Sequence, residues 1–266
     1  MCSGLLLTAC GAKSSAKQQI TINIASDGAT KPFDYTVNGS ETGYDIEVAK
    51  AVFAKLPEYK ANFETMDFNT IAGAIDSGHV DIGANDFGWN SQRAAKYYFS
   101  SPLSKSNNVV VVKSGTYKTL ADLAGKSTES EPASNYTTLI QDYNKTVSSS
   151  KQIKINFVSG QTPFTSRLSD IQTGKIDFVL YDAISAKSAI KDMGYSDLKT
   201  ENIETQAGDP THDGYEYFLF AKTSAGKALQ TKVNKVLKEL QADGTLKKLS
   251  EKYLGGDFVP AASLFS

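Results

Sequence analysis

Cysteine is nearly absent from this 266-residue chain: Cys2 and Cys10 are the only two, both close to the start. No disulfide framework staples the body of the protein. Histidine is equally scarce, with only His79 and His212. No HExxH helix, Walker loop, GxSxG elbow or reactive-cysteine setting occurs, so the common hydrolase and nucleotide signatures are missing. No apolar run approaches the roughly 20 residues a spanning helix needs. Charge is balanced, 28 Lys and Arg against 29 Asp and Glu, which removes the electrostatic case for a nucleic-acid partner. Arginine is rarest among the cations: Arg93 and Arg167 stand alone among lysines.

What is present is a repeat. Phe68 to Asp86 reads FNTIAGAIDSGHVDIGAND, and Phe164 to Asp182 reads FTSRLSDIQTGKIDFVLYD. Without a gap, Phe68 meets Phe164, Ile75 meets Ile171, Gly78 meets Gly174, Asp81 meets Asp177 and Asp86 meets Asp182. In each copy, apolar residues recur at helical spacing. A glycine then stops the helix, because it takes the left-handed conformation without steric cost. Short apolar runs follow, Val80 to Ala84 and Ile176 to Leu180, suited to strands buried on both faces. Each copy closes on an aspartate expected just past its strand. Ligands of open α/β sheets bind beyond the carboxyl ends of strands, so the chain is predicted to hold two similar α/β lobes, each offering a carboxylate at its working edge. A hydrophobic content of 40% supports a core of that size.

In chain order, Ile20 to Ala25 is predicted as the first strand, with Asp27 at its end. A loop through Pro32-Phe33-Asp34-Tyr35 and an Asn38-Gly39 turn follow. A helix runs from about Tyr44 to Leu56, and Ala61 to Thr65 is a second strand. After Asp86 the spacing predicts a helix from Ser91 to Tyr98 with Asn90 as N-cap, then a strand over Asn108 to Lys113. Leu120 to Leu123 and Tyr136 to Tyr143 are helical, and Ile153 to Val158 is a strand. Ala183 to Met193 is a helix ended by Gly194. Tyr215 to Lys222 is a late strand. Two tail helices, Ala228 to Ala242 and Leu246 to Leu254, carry a stripe of Val233, Val236, Leu237 and Leu240 for core packing. The expected organisation is a tether over residues 1–19, a first lobe over 20–107, a second over 108–213, and a return to the first over 214–266. Leu7-Thr8-Ala9-Cys10 resembles a bacterial lipobox, with Cys10 as the lipid anchor. The charged start of a signal peptide is missing, as in a truncated precursor or an expression-derived start.

The candidate chemistry is that of binding. Arg93 falls in the first turn of its helix, where a cation opposes the helix dipole; a nearby anion explains it, and a guanidinium grips a carboxylate with two parallel bonds. Arg167, mid-helix, suits a surface or lobe–lobe ion pair. Asp182 can cap the following helix or accept hydrogen bonds from a ligand ammonium. Ser134 and Asn135 open a helix whose N–H groups can hold a carboxylate, simple capping being the alternative. Phe33, Tyr35, Phe68 and Trp89 lie in or beside loops at strand ends, where aromatics often wall a ligand pocket. An arginine, an aspartate and aromatic walls on two lobes describe a site for a free α-amino acid whose binding draws the lobes together.

The run Gly43-Tyr44-Asp45-Ile46-Glu47-Val48-Ala49, the Phe68–Asp81 unit, the helix start at Arg93, Phe99-Ser100-Ser101-Pro102 and Ala242-Asp243-Gly244-Thr245 occur in that order. Together, over about residues 20–255, they resemble the family 3 extracellular solute-binding proteins, the polar amino acid receptors of ABC importers. The resemblance implies an α/β, two-lobe type II periplasmic-binding-protein fold with a ligand cleft between lobes and two crossover segments. It implies that Arg93 binds the ligand carboxylate and Asp182 its ammonium, that Ser134 and Asn135 donate from the second lobe, and that Phe68 is a pocket aromatic. Asp27 would sit near the ligand side chain, and Asp86 and Gly88 would belong to the segment whose backbone touches the ligand. Two features depart from the family: Asp86-Phe87-Gly88 stands where Gly-x-Thr is common, and Asn90 and Ser91 where a threonine is. The extra acid at Asp86 and the bulky Trp89 leave the specificity open. The Gly83-to-Asp86 run, with Tyr97-Tyr98-Phe99 beyond it, is most similar to the cystine-binding branch. The expectation is a monomeric, lipid-anchored receptor on the outer face of a Gram-positive-type membrane. It would deliver a polar amino acid, first among them L-cystine, to permease subunits, without a cofactor, metal or catalysis. The rivals on the same fold are a dehydratase-type enzyme, with His212 or Asp86 as acid, and a sensor or adhesin domain.

Overall fold

The structure, a computed structural model, describes residues 18–205 and 212–265. Cys2 and Cys10 lie outside the described residues, so the anchor expectation has no structural counterpart. The first lobe starts with β1 (Ile20–Ser26) and a small flap of β2 (Ala29–Thr30), β3 (Asp34–Val37) and β4 (Ser40–Thr42). It continues through α1 (Tyr44–Ala54), β5 (Tyr59–Thr65), α2 (Phe68–Asp76), β6 (Ile82–Gly88), α3 (Ser91–Lys96), β7 (Tyr97–Phe99) and β8 (Ser104–Lys105). The second lobe holds β9 (Asn108–Val112), β10 (Ser127–Ser130), α4 (Asn135–Thr146), β11 (Lys154–Phe157), α5 (Phe164–Thr173), β12 (Phe178–Asp182), α6 (Ala183–Met193) and β13 (Lys199–Asn202). The chain returns to the first lobe as β14 (Tyr215–Ala221), α7 (Ser224–Ala242) and α8 (Thr245–Tyr253).

Two sheets share one plan. In the first, the order is β5-β1-β6-β14-β7, with β8 also on β14; in the second it is β11-β10-β12-β9-β13. Each places the repeat strand, β6 or β12, between a parallel partner and an antiparallel one. Two segments join the lobes, β8 to β9 and β13 to β14. They touch where the Ser106 N–H donates to the Gly214 carbonyl at 2.8 Å.

The duplicated residues do the same work in both lobes. Phe68 and Phe164 each begin a helix. Gly78 and Gly174 both adopt positive φ, 75° and 76°. Asp81 accepts the backbone N–H of Asn23 at 2.8 Å, and Asp177 accepts that of Ser127 at 2.7 Å. Each aspartate also donates its own N–H to the carbonyl of that residue, so one residue ties the turn after the helix to the start of the neighbouring strand. Asp81 lies in the more sheltered of the two turns.

Several element boundaries differ from the predicted ones. The repeat strands begin two residues later than the apolar runs and include Asp86 and Asp182, because the antiparallel partners extend the ladders: Asp182 pairs with Asn108, and Gly88 with Glu216. The helix expected to reach Tyr98 stops at Lys96, since Tyr97 to Phe99 pair with β14. The polar strand β10 has no hydrophobic signature, yet Thr128, Glu129 and Ser130 are buried in mid-sheet. The tail-helix stripe of Val233, Val236, Leu237 and Leu240 packs into the first-lobe core with Ile24, Val52 and Phe220. Asp81→Ala should lower thermal stability more than Asp177→Ala, by about 1–3 kcal/mol for a lost charge-assisted bond in a partly buried turn. Differential scanning calorimetry of the two variants checks it.

Candidate functional site

A cavity of about 820 Å³ lies between the lobes. Of the residues singled out from sequence, Asp27, Phe68, Asp86, Gly88, Trp89, Arg93, Ser134, Asn135 and Asp182 all line it. Phe33 does not: it is fully buried in the first-lobe core, edge-on to Tyr44 at 6.4 Å. Packing against Tyr44 in the core, and not its proximity to a strand end, decides its position. Tyr35 is likewise outside the lining. The aromatic wall is completed by Tyr136 and Tyr181, the latter stacked on Phe164 at 4.2 Å.

Arg93 gains its position from a short helix whose N-cap, Asn90, accepts the Arg93 N–H at 2.7 Å. The guanidinium lies 5.0 Å from the Phe87 ring centre. One nitrogen donates to the Gly88 carbonyl and the other to the Ala133 carbonyl, each at 2.8 Å. Gly88 belongs to the first lobe and Ala133 to the second, so Arg93 spans the cleft. Its desolvation pulls the pKa down to about 10, still charged at neutral pH.

Other contacts hold the lobes together. Asn135 donates to the Trp89 carbonyl at 3.0 Å and accepts from Asn90 at 2.5 Å. A side chain at position 88 would place its Cβ 2.6 Å from the Asn135 amide, which is why glycine stands there. Asn69 accepts the Ala133 N–H, and Ser159 donates to Asp67. Beside them, a Cβ on Gly160 would fall 2.6 Å from the backbone of Phe68. Ser134 caps α4 by accepting the Tyr136 N–H at 3.2 Å. Asp27 spends both carboxylate oxygens internally, on Ala29, Thr30 and Asn85. Arg167 is neither at the surface nor between lobes. It is buried in the second lobe against Glu131, because Phe164 and Tyr181 cover it from the same side.

Acids dominate the electrostatics. Asp182 caps α6 through one oxygen, which accepts the Ser185 N–H at 2.8 Å, while its other oxygen is buried without a partner. Asp86 and Glu216 share a side-chain hydrogen bond, and burial pushes both pKa values well up. Glu216 also accepts from Ser104. Oxygens of Asp86, Asp182 and Glu216 lie within 4.8 Å of one another. Behind them Asp45 accepts the Asp86 N–H at 2.8 Å and holds Asp86 at a positive φ of 49°, uncommon outside glycine. Glu216 escapes sequence reasoning; its only signal is a lone charge within the aromatic strand Tyr-Glu-Tyr-Phe-Leu-Phe. His212 stacks on Trp89 at 4.8 Å, with Nδ1 3.0 Å from the Tyr217 hydroxyl.

Two lobes joined by two crossovers, closed over an acid-and-arginine cavity, define a ligand-enclosing binding protein. The model of the bacterial extracellular solute-binding proteins, family 3, matches residues 22–152 and 128–256, and the chain belongs to that family. It is 33% identical to the probable amino-acid-binding protein YxeM of Bacillus subtilis, over 95% of this chain and 91% of the relative. It is 32% identical to the L-cystine-binding protein TcyJ of B. subtilis, over 83% of this chain and 78% of that one. A solved structure from work on glutathione import in Gram-positive bacteria, via GshT and the cystine ABC importer TcyBC of Streptococcus mutans, superposes with TM-score 0.85. It is 36% identical, covering 93% of this chain and all of the other.

Burial raises the Asp45 pKa to about 7 and that of Asp182 to about 6. A raised carboxylate binds its proton more tightly folded than unfolded, so this stability is present at low pH and is lost as pH rises through the folded value. Asp67 and Asp177, whose pKa values are lowered, titrate below that window. The ligand-free melting midpoint should therefore fall by several degrees between about pH 5 and pH 8. Asp45→Asn, which keeps an acceptor for Asp86, should flatten the slope in a pH series of thermal melts.

Proposed function

We propose that this protein is the receptor of an ABC importer, capturing a polar amino acid by closure of its lobes and delivering it to the permease. The observation that carries this is the placement of Arg93 and Asp182, one from each lobe, on one cavity between the lobes. A zwitterion fits that pair: its carboxylate meets the guanidinium, displacing the carbonyl contacts of Arg93, and its ammonium meets the unpartnered oxygen of Asp182. Binding then favours the closed population.

L-Cystine is the first choice of ligand. The cavity is roomy for a single small side chain, and cystine-binding relatives lie among the similar chains. Glutathione is a second reading, favoured by the likeness to the structure from the glutathione-import work; its γ-glutamyl end carries the same α-amino-acid head. No catalysis is assigned. The family is one of binding proteins; of the two acids an enzyme reading would use, His212 is engaged with Trp89 and Tyr217, and Asp86 lines the cavity beside Glu216 and Asp182. Attachment of the tether through a lipidated Cys10 to the outer membrane face, and a monomeric state, complete the proposal. No helix among the described residues is long and apolar enough to cross a membrane.

A thermal-shift screen of the twenty amino acids, L-cystine and glutathione tests the reading. Ligand at a hundredfold over Kd adds about 2.7 kcal/mol, and L-cystine should give the largest shift, with glutathione ahead if the second reading holds. Arg93→Ala should abolish the shift while the protein still melts cooperatively; an undiminished shift removes Arg93 from the site. Gly160→Val touches no cavity residue except through Phe68, yet should weaken affinity about tenfold, or about 1.4 kcal/mol, by obstructing closure. Calorimetric titration reads this directly.

A further inference from the structure

The three carboxylates present a chemical problem that the arginine–aspartate pair leaves unsolved. Asp86 and Glu216 come from the first lobe and Asp182 from the second, and their oxygens converge within 4.8 Å. Asp182 and Glu216 are nearly inaccessible, at 3% and 5% exposure. Three carboxylates this close, two of them buried, cannot all stay ionised without a cation beside them, so the cluster carries a proton; burial pushes both Asp86 and Glu216 well up, which places it on that pair. The groups facing the pair are Tyr44 and Asp45 from α1, Arg93 from α3, Ser104 from β8, Tyr136 from α4, and Tyr181 and Asp182 from β12. Arg93 supplies a positive charge, but both of its outer nitrogens are committed to the Gly88 and Ala133 carbonyls. The free oxygen of Asp182, buried and without a partner, marks where a donor is missing.

We propose that Asp86, Glu216 and Asp182 together form one seat for the ligand's ammonium, and that its arrival expels the proton shared by Asp86 and Glu216, coupling capture to proton release. A primary ammonium has three N–H donors and meets three acceptors, one from the second lobe and two from the first. The balance is simple. The protonated seat and the ammonium go to the ionised seat holding the ammonium, plus one proton to solvent, with no covalent bond between protein and ligand. Two lobe-1 acids therefore select a primary amine over an N-acylated or deaminated analogue. They also place the ligand's positive charge on the cleft side where like charges otherwise oppose closure. This rests on the amino acid receptor reading and adds to it residues that the arginine–aspartate pair does not include.

The experiment is isothermal titration of L-cystine, and of glutathione, into the full chain between about pH 6 and pH 7.5, in two buffers of different ionisation enthalpy. In that window either ligand's α-ammonium stays protonated. The expected result is a buffer-dependent enthalpy corresponding to release of about one proton per ligand, with affinity rising up to about tenfold per pH unit. In Glu216→Gln, and separately in Asp86→Asn, release at about pH 7.5 should fall close to zero, and the remaining pH dependence should be confined to the low end of the window, where Asp182 itself titrates. The wild-type measurement stands even if a variant fails to fold. Saturable binding with equal enthalpy in both buffers overturns the proposal and leaves the receptor reading intact. No binding of either ligand at any pH removes both. Binding abolished by EDTA and restored by calcium or manganese gives the seat to a divalent cation and overturns the proposal as well.

Discussion

Like charge brought together across a gap is the constraint around which this molecule is arranged. Carboxylates from the ends of β6, β12 and the start of β14 meet where the two sheets face each other. In a low-dielectric cleft such charges cannot all be ionised without a compensating cation. Burial raises the pKa values of Asp86, Glu216, Asp182 and Asp45, which favours their protonated forms. A cationic group in the cavity answers the same constraint more directly. On the receptor reading proposed above, closure is favourable when the right ligand is present and less so when it is not.

The remaining contacts make that closure specific in shape. Arg93, Asn135, Asn69 and Ser159 each reach from one lobe to the other, mostly toward backbone groups. Backbone partners keep their positions whatever the surrounding side chains, so the Asn135 and Asn69 bonds report the angle between lobes. Close approach at Gly88 and Gly160 shows how little room the closed arrangement leaves. The cavity wall between these contacts is formed by Phe68, Trp89, Tyr136 and Tyr181 and by the acids.

Much of the architecture is legible in the sequence because duplication doubles the signal. A single helix–glycine–strand unit says little; two in register identify Asp81 and Asp177 as counterparts, and both perform one task. Arg93 stands out because arginine is otherwise so rare here. What stays hidden has a common cause. Strand β10 is polar in sequence because its side chains meet polar partners within the lobe, Ser127 on Asp177, Glu129 on Lys175 and Ser130 on Thr137, which erases alternation. Glu216 acquires meaning only when an antiparallel return strand brings residue 216 beside residue 88, a pairing no local pattern encodes. Phe33 misleads in the opposite direction: a turn-like neighbourhood suggests exposure, while packing against Tyr44 decides its fate.

The second lobe is threaded through a narrow gate. Its first strand, β9, and its last, β13, are neighbours in one sheet, with Asn202 opposite Val109. The chain thus leaves the inserted lobe beside the point at which it came in. A segment with adjacent ends can be replaced as a cassette without redirecting the polypeptide on either side. Half of the cleft, with Asp182 and the α4 terminus, is therefore a unit that recombination could exchange between receptors, leaving Arg93 and the paired acids in place to greet a different partner.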